Sequence, residues 1–222
     1  MIPYLLTVSS DTKGVARFSE SIKNLGEVEH IAVQFNPESS QFKTHTKVNI
    51  PFPGHINKLS YIPRDLDLDR YVVFSDTDDV IFQKPFPEFT SDLYLACENV
   101  PHSETIWLKF IDLYPQFEVL RHKEVYNCGN YAMKVKTMYE MLDFLKDYEC
   151  SDFRKYGFEQ LHFNMFVEKR KDLSRVIDLE IFAPLYRNYN DKLVVKTDLW
   201  RYNNKVISCV HANGDRRLKG LL

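Results

Sequence analysis

The sequence is short of everything that would send it quickly to a membrane, to nucleic acid or to a disulfide-stapled scaffold. Its 222 residues hold four cysteines, Cys97, Cys128, Cys150 and Cys209, widely spaced and with no Cys-x-x-Cys pair. A chain of this length buries roughly 70 to 75% of its unfolded surface and needs no covalent staples. Three of the four sit in apolar runs, where free cysteine behaves as a small hydrophobe, so the reading is a reducing compartment. No long hydrophobic run occurs either. The opening MIPYLLTVSSDTKG has no basic leader and turns polar after a short apolar stretch, so the expectation is a first strand in a cytoplasmic protein, neither a secretory signal nor a membrane span. An excess of one charge is also missing. The formal net charge is −2, from 29 basic and 31 acidic residues, which gives no long-range field toward nucleic acid or an anionic membrane. Repeats, low-complexity stretches and linkers are absent too, so residues 1–222 are expected to form a single domain.

What the chain does contain is an alternation of strand-like and helix-like segments. PYLLTVS is an apolar run of strand length, followed by the turn and cap cluster SSDTKG, in which Asp11 reads as a helix cap. Val15, Phe18, Ile22 and Leu25 then recur at helical spacing, and Gly26 supplies a stop. EVEHIAVQF completes a βαβ unit. Residues 36–57 are polar and broken by Pro37, Pro51, Pro53 and Gly54, which predicts a long connection carrying at most one short strand, THTKVNI. Beyond a short helical stretch at 57–62, the strands expected are RYVVF, DLYLACEN, VYNCGNYAMKV, VIDLEIF and KVISCVHAN. Helices are expected at TMYEMLDFLKDY and FEQLHFNMFVEKR. The order implies an α/β fold with a mixed central sheet flanked by helices. An aromatic content of 14%, with 13 Tyr and 16 Phe, suits a large core as well as a pocket for rings or sugars.

The chemical signal is VVFSDTDD, an apolar strand running directly into acids. Residues two apart on a strand share a face, so Asp76 and Asp78 are expected to converge on one hard cation, with Asp79 on the opposite face. Mg²⁺ or Mn²⁺ takes oxygen ligands and keeps open positions for diphosphate oxygens when a protein supplies only one or two carboxylates.

The stretch KLSYIPRDLDLDRYVVFSDTDDVIFQKPF resembles the Asp-x-Asp region of the GT-A glycosyltransferases. VISCVHANGDRRLKG is similar to the His-x-x-Gly ending of glycogenin-like, lipopolysaccharide galactosyltransferase-like and collagen-glucosylating families within that class. The resemblance implies a GT-A fold and a metal-dependent transfer of a sugar from a nucleotide diphosphate sugar, UDP-linked first and GDP-linked second. By the same likeness Asp76, Asp78 and His211 are the metal ligands, and Thr77 lies with the diphosphate. Gly214 allows close backbone approach. Lys219 maps to the phosphate contact, although Asp-Arg-Arg-Leu stands where the family has Lys-Pro, which leaves Arg216 or Arg217 as alternatives. Thr7, Val8 and Ser9 fall where the base and ribose are cradled, and Lys58 where a lysine meets the diphosphate.

YNCGNYAMKV looks like the family's Asn-Ser-Gly strand, which places Asn127 and Gly129 against the donor sugar, with Cys128 in place of the serine. FEQLHFN resembles a helix start near the reaction centre, with Glu159 and Gln160 as the catalytic candidates and Asn164 matching; Glu159 also reads as a favourable acid in a first helical turn. The families with this ending mostly retain anomeric configuration, so retention is expected, with Glu159 or Asp152 the positions for a base if transfer inverts instead. Residues 101–124 match no segment of the family and are where an unidentified acceptor is expected to dock. Two other readings stay open. VVFSDTDDV also fits a haloacid dehalogenase-like phosphatase with Asp76 as nucleophile and Asp78 as acid/base, and a module that binds nucleotide sugars without turning them over needs no metal.

Overall fold

A computed structural model describes residues 1–9, 15–35, 46–48, 57–77, 79–146, 158–185, 193–196 and 199–212. The first βαβ unit forms as its periodicity requires: β1 (Tyr4–Ser9), α1 (Val15–Ile22) with a 3₁₀ turn at Lys23–Leu25, and β2 (Glu29–Phe35) parallel to β1. Gly26 ends the helical segment at φ 73°, a conformation that glycine reaches without steric cost. The short β3 (Thr46–Val48) extends the parallel set beyond β2, and Asn57–Tyr61 is one 3₁₀ turn.

The chain then crosses to the other side of β1 as β4 (Tyr71–Ser75), also parallel. β6 (Leu93–Pro101), β7 (Glu124–Lys134) and β8 (Arg175–Ile177) finish a seven-stranded sheet in the order β3-β2-β1-β4-β7-β6-β8. β7 runs antiparallel to both β4 and β6, so the sheet is mixed as expected. Strand order reverses between β1 and β4. Crevices at the carboxyl ends of strands flanking such a reversal are where open α/β sheets place ligands. Thr7 of β1 pairs with Ser75 of β4, so the first strand end and the start of the acidic run share that crevice.

Alternation along β4 explains why its sequence is a continuous apolar run. Val72 and Phe74 face one layer and Val73 the other, all buried. The first layer holds α3 (Val135–Lys146) and α4 (Phe158–Lys169), whose Met138, Met141, Phe163 and Phe166 close over Phe74 and Tyr131. Tyr131 stacks between Phe74, at 5.0 Å, and Phe163, at 4.7 Å. The second layer holds Phe18 of α1 and a small sheet, β5 (Val80–Phe82), β13 (Cys209–His211) and β9 (Phe182–Pro184). No helix among the described residues is long and apolar enough to cross a membrane.

Two expected strands are each divided. VIDLEIF splits into β8 on the large sheet and β9 on the small one, because the chain turns at Asp178, whose side chain accepts the Glu180 N–H at 2.8 Å while its carbonyl takes Ile181 and Phe182. KVISCVHAN splits into β12 (Lys205–Val206) and β13. β12 belongs to a three-stranded meander with β10 (Leu193–Lys196) and β11 (Leu199–Tyr202), turned through Asn203 and Asn204 at φ 50° and 65°. Asparagine is among the residues that tolerate this left-handed geometry in two-residue hairpins. Residues 102–120 form a compact lobe of 3₁₀ turns around α2 (Leu108–Leu113), packed through Phe110, Ile111, Phe117 and Leu120 on Leu161 and Met165 of α4. Cys97, Cys128 and Cys209 form no disulfide, and burial pushes the Cys97 thiol up to about 12.

Candidate functional site

β4 ends at Ser75, and the path of the chain beyond it decides which acids meet. Asp76 donates its backbone N–H to the Gly129 carbonyl of β7 at 2.8 Å, and Ser75 Oγ donates to the Asp76 carbonyl at 2.9 Å. The chain then turns into β5, which pairs antiparallel with β13 so that Val80 lies opposite His211. Ala212 N–H donates to the Asp79 carbonyl at 2.8 Å. These pairings bring together Asp76, Asp79 and His211, whose ligating atoms all lie within 4.8 Å of one another.

Asp79 is therefore on the same side as His211, not on a face opposite Asp76. The alternation rule requires a strand continuing through residue 79, and β4 ends at residue 75. Asp79 Oδ1 lies 3.1 Å from His211 Nε2, and both residues are buried, at 7% and 4% exposure. Asp78 lies outside the described residues, as do Asp11, Asp152, Gly214, Arg216, Arg217 and Lys219.

Behind His211 stands a second polar layer. His211 Nδ1 is 3.1 Å from Asn127 Oδ1, the same oxygen that accepts the Gly129 N–H at 2.8 Å, and Asn127 Nδ2 donates to Glu98 Oε1 at 3.0 Å. Glu98, at 3% exposure, is a site residue that sequence reasoning misses. The signal is present in ACEN, an apolar strand ending on an acid as VVFSD does, but no spacing rule ties it to a partner. Both ring nitrogens of His211 thus face oxygen acceptors. Burial by itself would depress the imidazole. The charge and hydrogen bond of Asp79, with Asp76 and Glu98 behind them, outweigh it and hold His211 above the usual range.

Gly129 is where the site is tightest. An added Cβ would sit 2.4 Å from Asp76 Oδ2, 2.6 Å from His211 Cε1 and 3.1 Å from Asn127 Oδ1. Only a residue without a side chain lets β7 pass beneath the acids and the imidazole. Two carboxylates and one imidazole around such a gap are a donor set that fits Mn²⁺ or Mg²⁺.

The remaining candidates fall around this centre. Thr7 is buried and its Oγ1 lies 2.9 Å from His30 Nε2; the Val8 side chain is packed in the core; Ser9 ends β1. Thr77 is buried, and Lys58 belongs to the 3₁₀ turn at Asn57–Tyr61. Gln160 spends both ends of its amide on β7: Oε1 accepts Cys128 N–H at 3.0 Å and Nε2 donates to the Tyr126 carbonyl. Asn164 grips the same strand, accepting Tyr126 N–H and donating to its carbonyl, both at 2.8 Å. Glu159, buried at 8% exposure, lies close enough to Tyr131 that its charge adds to the burial holding that phenol well above its usual range.

No protein-family model matches the chain, and no curated protein matches it. Among solved structures, it is similar to the apo form of the glycosyltransferase GlyE of Streptococcus pneumoniae TIGR4, at 12% identity and a TM-score of 0.48. That likeness covers 81% of this chain and 46% of the other, so the chain spans less than half the length of that protein.

Proposed function

We propose that the chain is a metal-dependent glycosyltransferase of the GT-A class that moves a sugar from a nucleotide diphosphate sugar, UDP-linked in the first instance, to an acceptor. The observation that carries the reading is the meeting of Asp76, Asp79 and His211 over Gly129, at the carboxyl end of β4 and beside the reversal of strand order. Asp76, Asp79 and His211 would hold Mn²⁺ or Mg²⁺, and Asp78 is the further carboxylate that the Asp-x-Asp pattern assigns to the same ion. The cation, when bound, draws off the negative charge that gathers on the departing diphosphate.

The chain's own groups then divide the remaining work. Backbone groups at the end of β1, Thr7 to Ser9, face the base and ribose. Lys58, Thr77, Gly214 and Lys219 serve the diphosphate. Gly129 lies with the donor sugar, while Asn127, assigned to the same sugar by the family likeness, acts from behind His211. Glu159 holds that sugar or its oxocarbenium-like transition state, while Gln160 acts from behind by fixing the course of β7. Transfer proceeds with retention, the departing phosphate oxygen taking the acceptor proton on the same face. The lobe at 101–124 flanks the acceptor side. The whole of residues 1–222 acts as one catalytic domain in the cytoplasm.

A thermal-shift panel of nucleotide sugars with Mn²⁺ tests this reading, since a ligand at 100 times its Kd stabilises by about 2.7 kcal/mol. UDP-sugars, or failing them GDP-sugars, raise the midpoint. If none does, and phosphate monoesters are hydrolysed instead, Asp76 is the nucleophile of a phosphatase and the proposal is wrong.

A further inference from the structure

We propose that Glu98 and Asn127 are positioning residues that select which nitrogen of His211 faces the cation, an inference that rests on the cation site proposed above. The orientation of the Asn127 amide is fixed by its neighbours. Gly129 N–H donates to one end at 2.8 Å and the Glu98 carboxylate lies 3.0 Å from the other. Turned over, the amide would set its NH₂ against an N–H and its carbonyl against a carboxylate, two repulsive contacts in place of two hydrogen bonds. The atom facing His211 Nδ1 at 3.1 Å is therefore a carbonyl oxygen, and it demands a proton on Nδ1.

A neutral ring with its proton on Nδ1 carries its lone pair on Nε2, the nitrogen on the side of Asp79. There a carboxylate oxygen lies 3.1 Å away; a proton on Nε2 bridges the two in metal-free protein, and a bound cation takes the place of that proton. Every member of the chain is out of water: Glu98 and Asn127 at 3% exposure, His211 at 4% and Asp79 at 7%. Glu98 is on β6 and Asn127 on β7, neighbouring antiparallel strands, with Glu98 directly after the Cys97–Tyr126 pair, where the register of β6 shifts. Partners of this kind behind a metal-binding histidine set its tautomer, and losing one typically costs ten- to a hundred-fold in metal affinity.

Two readouts on the full chain test the proposal. Mn²⁺ binding is followed by the loss of the free-ion EPR signal, and the His211 tautomer by long-range ¹H–¹⁵N correlation in protein saturated with diamagnetic Mg²⁺, with His211→Gln supplying the assignment. Wild type shows the Nδ1–H tautomer. Glu98→Ala and Asn127→Ala lose that preference and weaken Mn²⁺ binding roughly ten- to a hundred-fold. Glu98→Gln, which keeps an acceptor for Asn127 Nδ2, restores the tautomer and returns the affinity to within a few-fold of wild type. If Asn127→Ala does not fold, as judged by its melting curve, the Glu98 pair decides. An Nε2–H tautomer in wild type overturns the proposal, and so does a Glu98→Gln variant as impaired as Glu98→Ala, which would make Glu98 a source of charge alone. A wild type that binds no Mn²⁺ sinks the cation site on which the proposal rests, whereas a wild type that binds the ion with the proton on Nε2 overturns the positioning role alone.

Discussion

His211 and His102 are almost equally shut off from water, at 4% and 0% exposure, yet burial leaves them in opposite states. Around His211 the buried neighbours are carboxylates and an amide, and the ring is held above its usual range. Around His102, in the lobe at 102–120, burial dominates; the Lys123 carbonyl 2.8 Å from Nδ1 and the charge of Glu168 push the other way without overcoming it, and the ring is held below. Nε2 of His102 has no hydrogen-bond partner among the described residues, which suits a neutral ring. The difference shows what each region is built for. One keeps charge in a buried place by pairing every member, and the other excludes water with apolar side chains around Phe117 and Leu120.

That contrast breaks first where the apolar lobe is cored out. Phe117 is fully buried and sits edge-on to His162 at 5.0 Å. Phe117→Ala is expected to cost about 3 to 5 kcal/mol of stability in urea unfolding. It should leave the Mn²⁺ affinity of the folded fraction unchanged. A Phe117→Ala protein that melts as wild type but binds no metal would mean that the two regions are not separable as described.

The site region fails differently. Gly129→Ala forces a methyl against Asp76 and His211, and overpacking of this kind costs about 1 to 3 kcal/mol. Its loss of cation binding should far exceed its loss of stability, the reverse of the Phe117 variant, and the two are compared by EPR titration and unfolding on the same samples. Unaltered binding in Gly129→Ala would show that the close approach of β7 has no bearing on the site.

The smallest effect is the dependence on pH. A histidine whose folded pKa lies below its unfolded value of 6.5 contributes stability that is complete above 6.5 and lost as pH falls through the folded value. His102 should therefore make the protein less stable on mild acidification, and His102→Gln, which does not titrate, should flatten that slope. His211 in metal-free protein has the opposite sign, its contribution complete below the unfolded value of 6.5 and lost as pH rises through the raised folded value. Unfolding midpoints across the neutral to mildly acidic range, in chelator, measure both. An unchanged slope in His102→Gln would mean that its burial carries no linkage.

How much of the fold and site is legible in the sequence depends on which physical rules are local. The run RYVVF announces a strand buried on both faces, and the helices α3 and α4 fall where their periodicity puts them. Asp76 and His211 can be picked out because each lies at the end of an apolar strand inside a segment with a familiar order of residues. Asp79 is misplaced by sequence reasoning because the period of two holds only while a strand lasts, and β4 stops one residue before the acids. Glu98 goes unread because its meaning comes from Asn127, which is in contact only through the pairing of β6 with β7. The meander β10-β11-β12 is missed for want of a reading of Asn203–Asn204 as a hairpin turn, although the residue type allows it. Long-range pairing, not local propensity, settles each of these.

The most direct test of the central claim is a calorimetric titration of UDP into the protein with and without Mn²⁺, repeated on Asp76→Ala and His211→Ala. If Asp76, Asp79 and His211 together hold a cation that completes a diphosphate site, Mn²⁺ strengthens UDP binding at least tenfold in wild type, equivalent to about 1.4 kcal/mol. Both variants should lose that enhancement while keeping a cooperative melting transition. Equal UDP affinity with and without Mn²⁺ in the wild type would contradict the account.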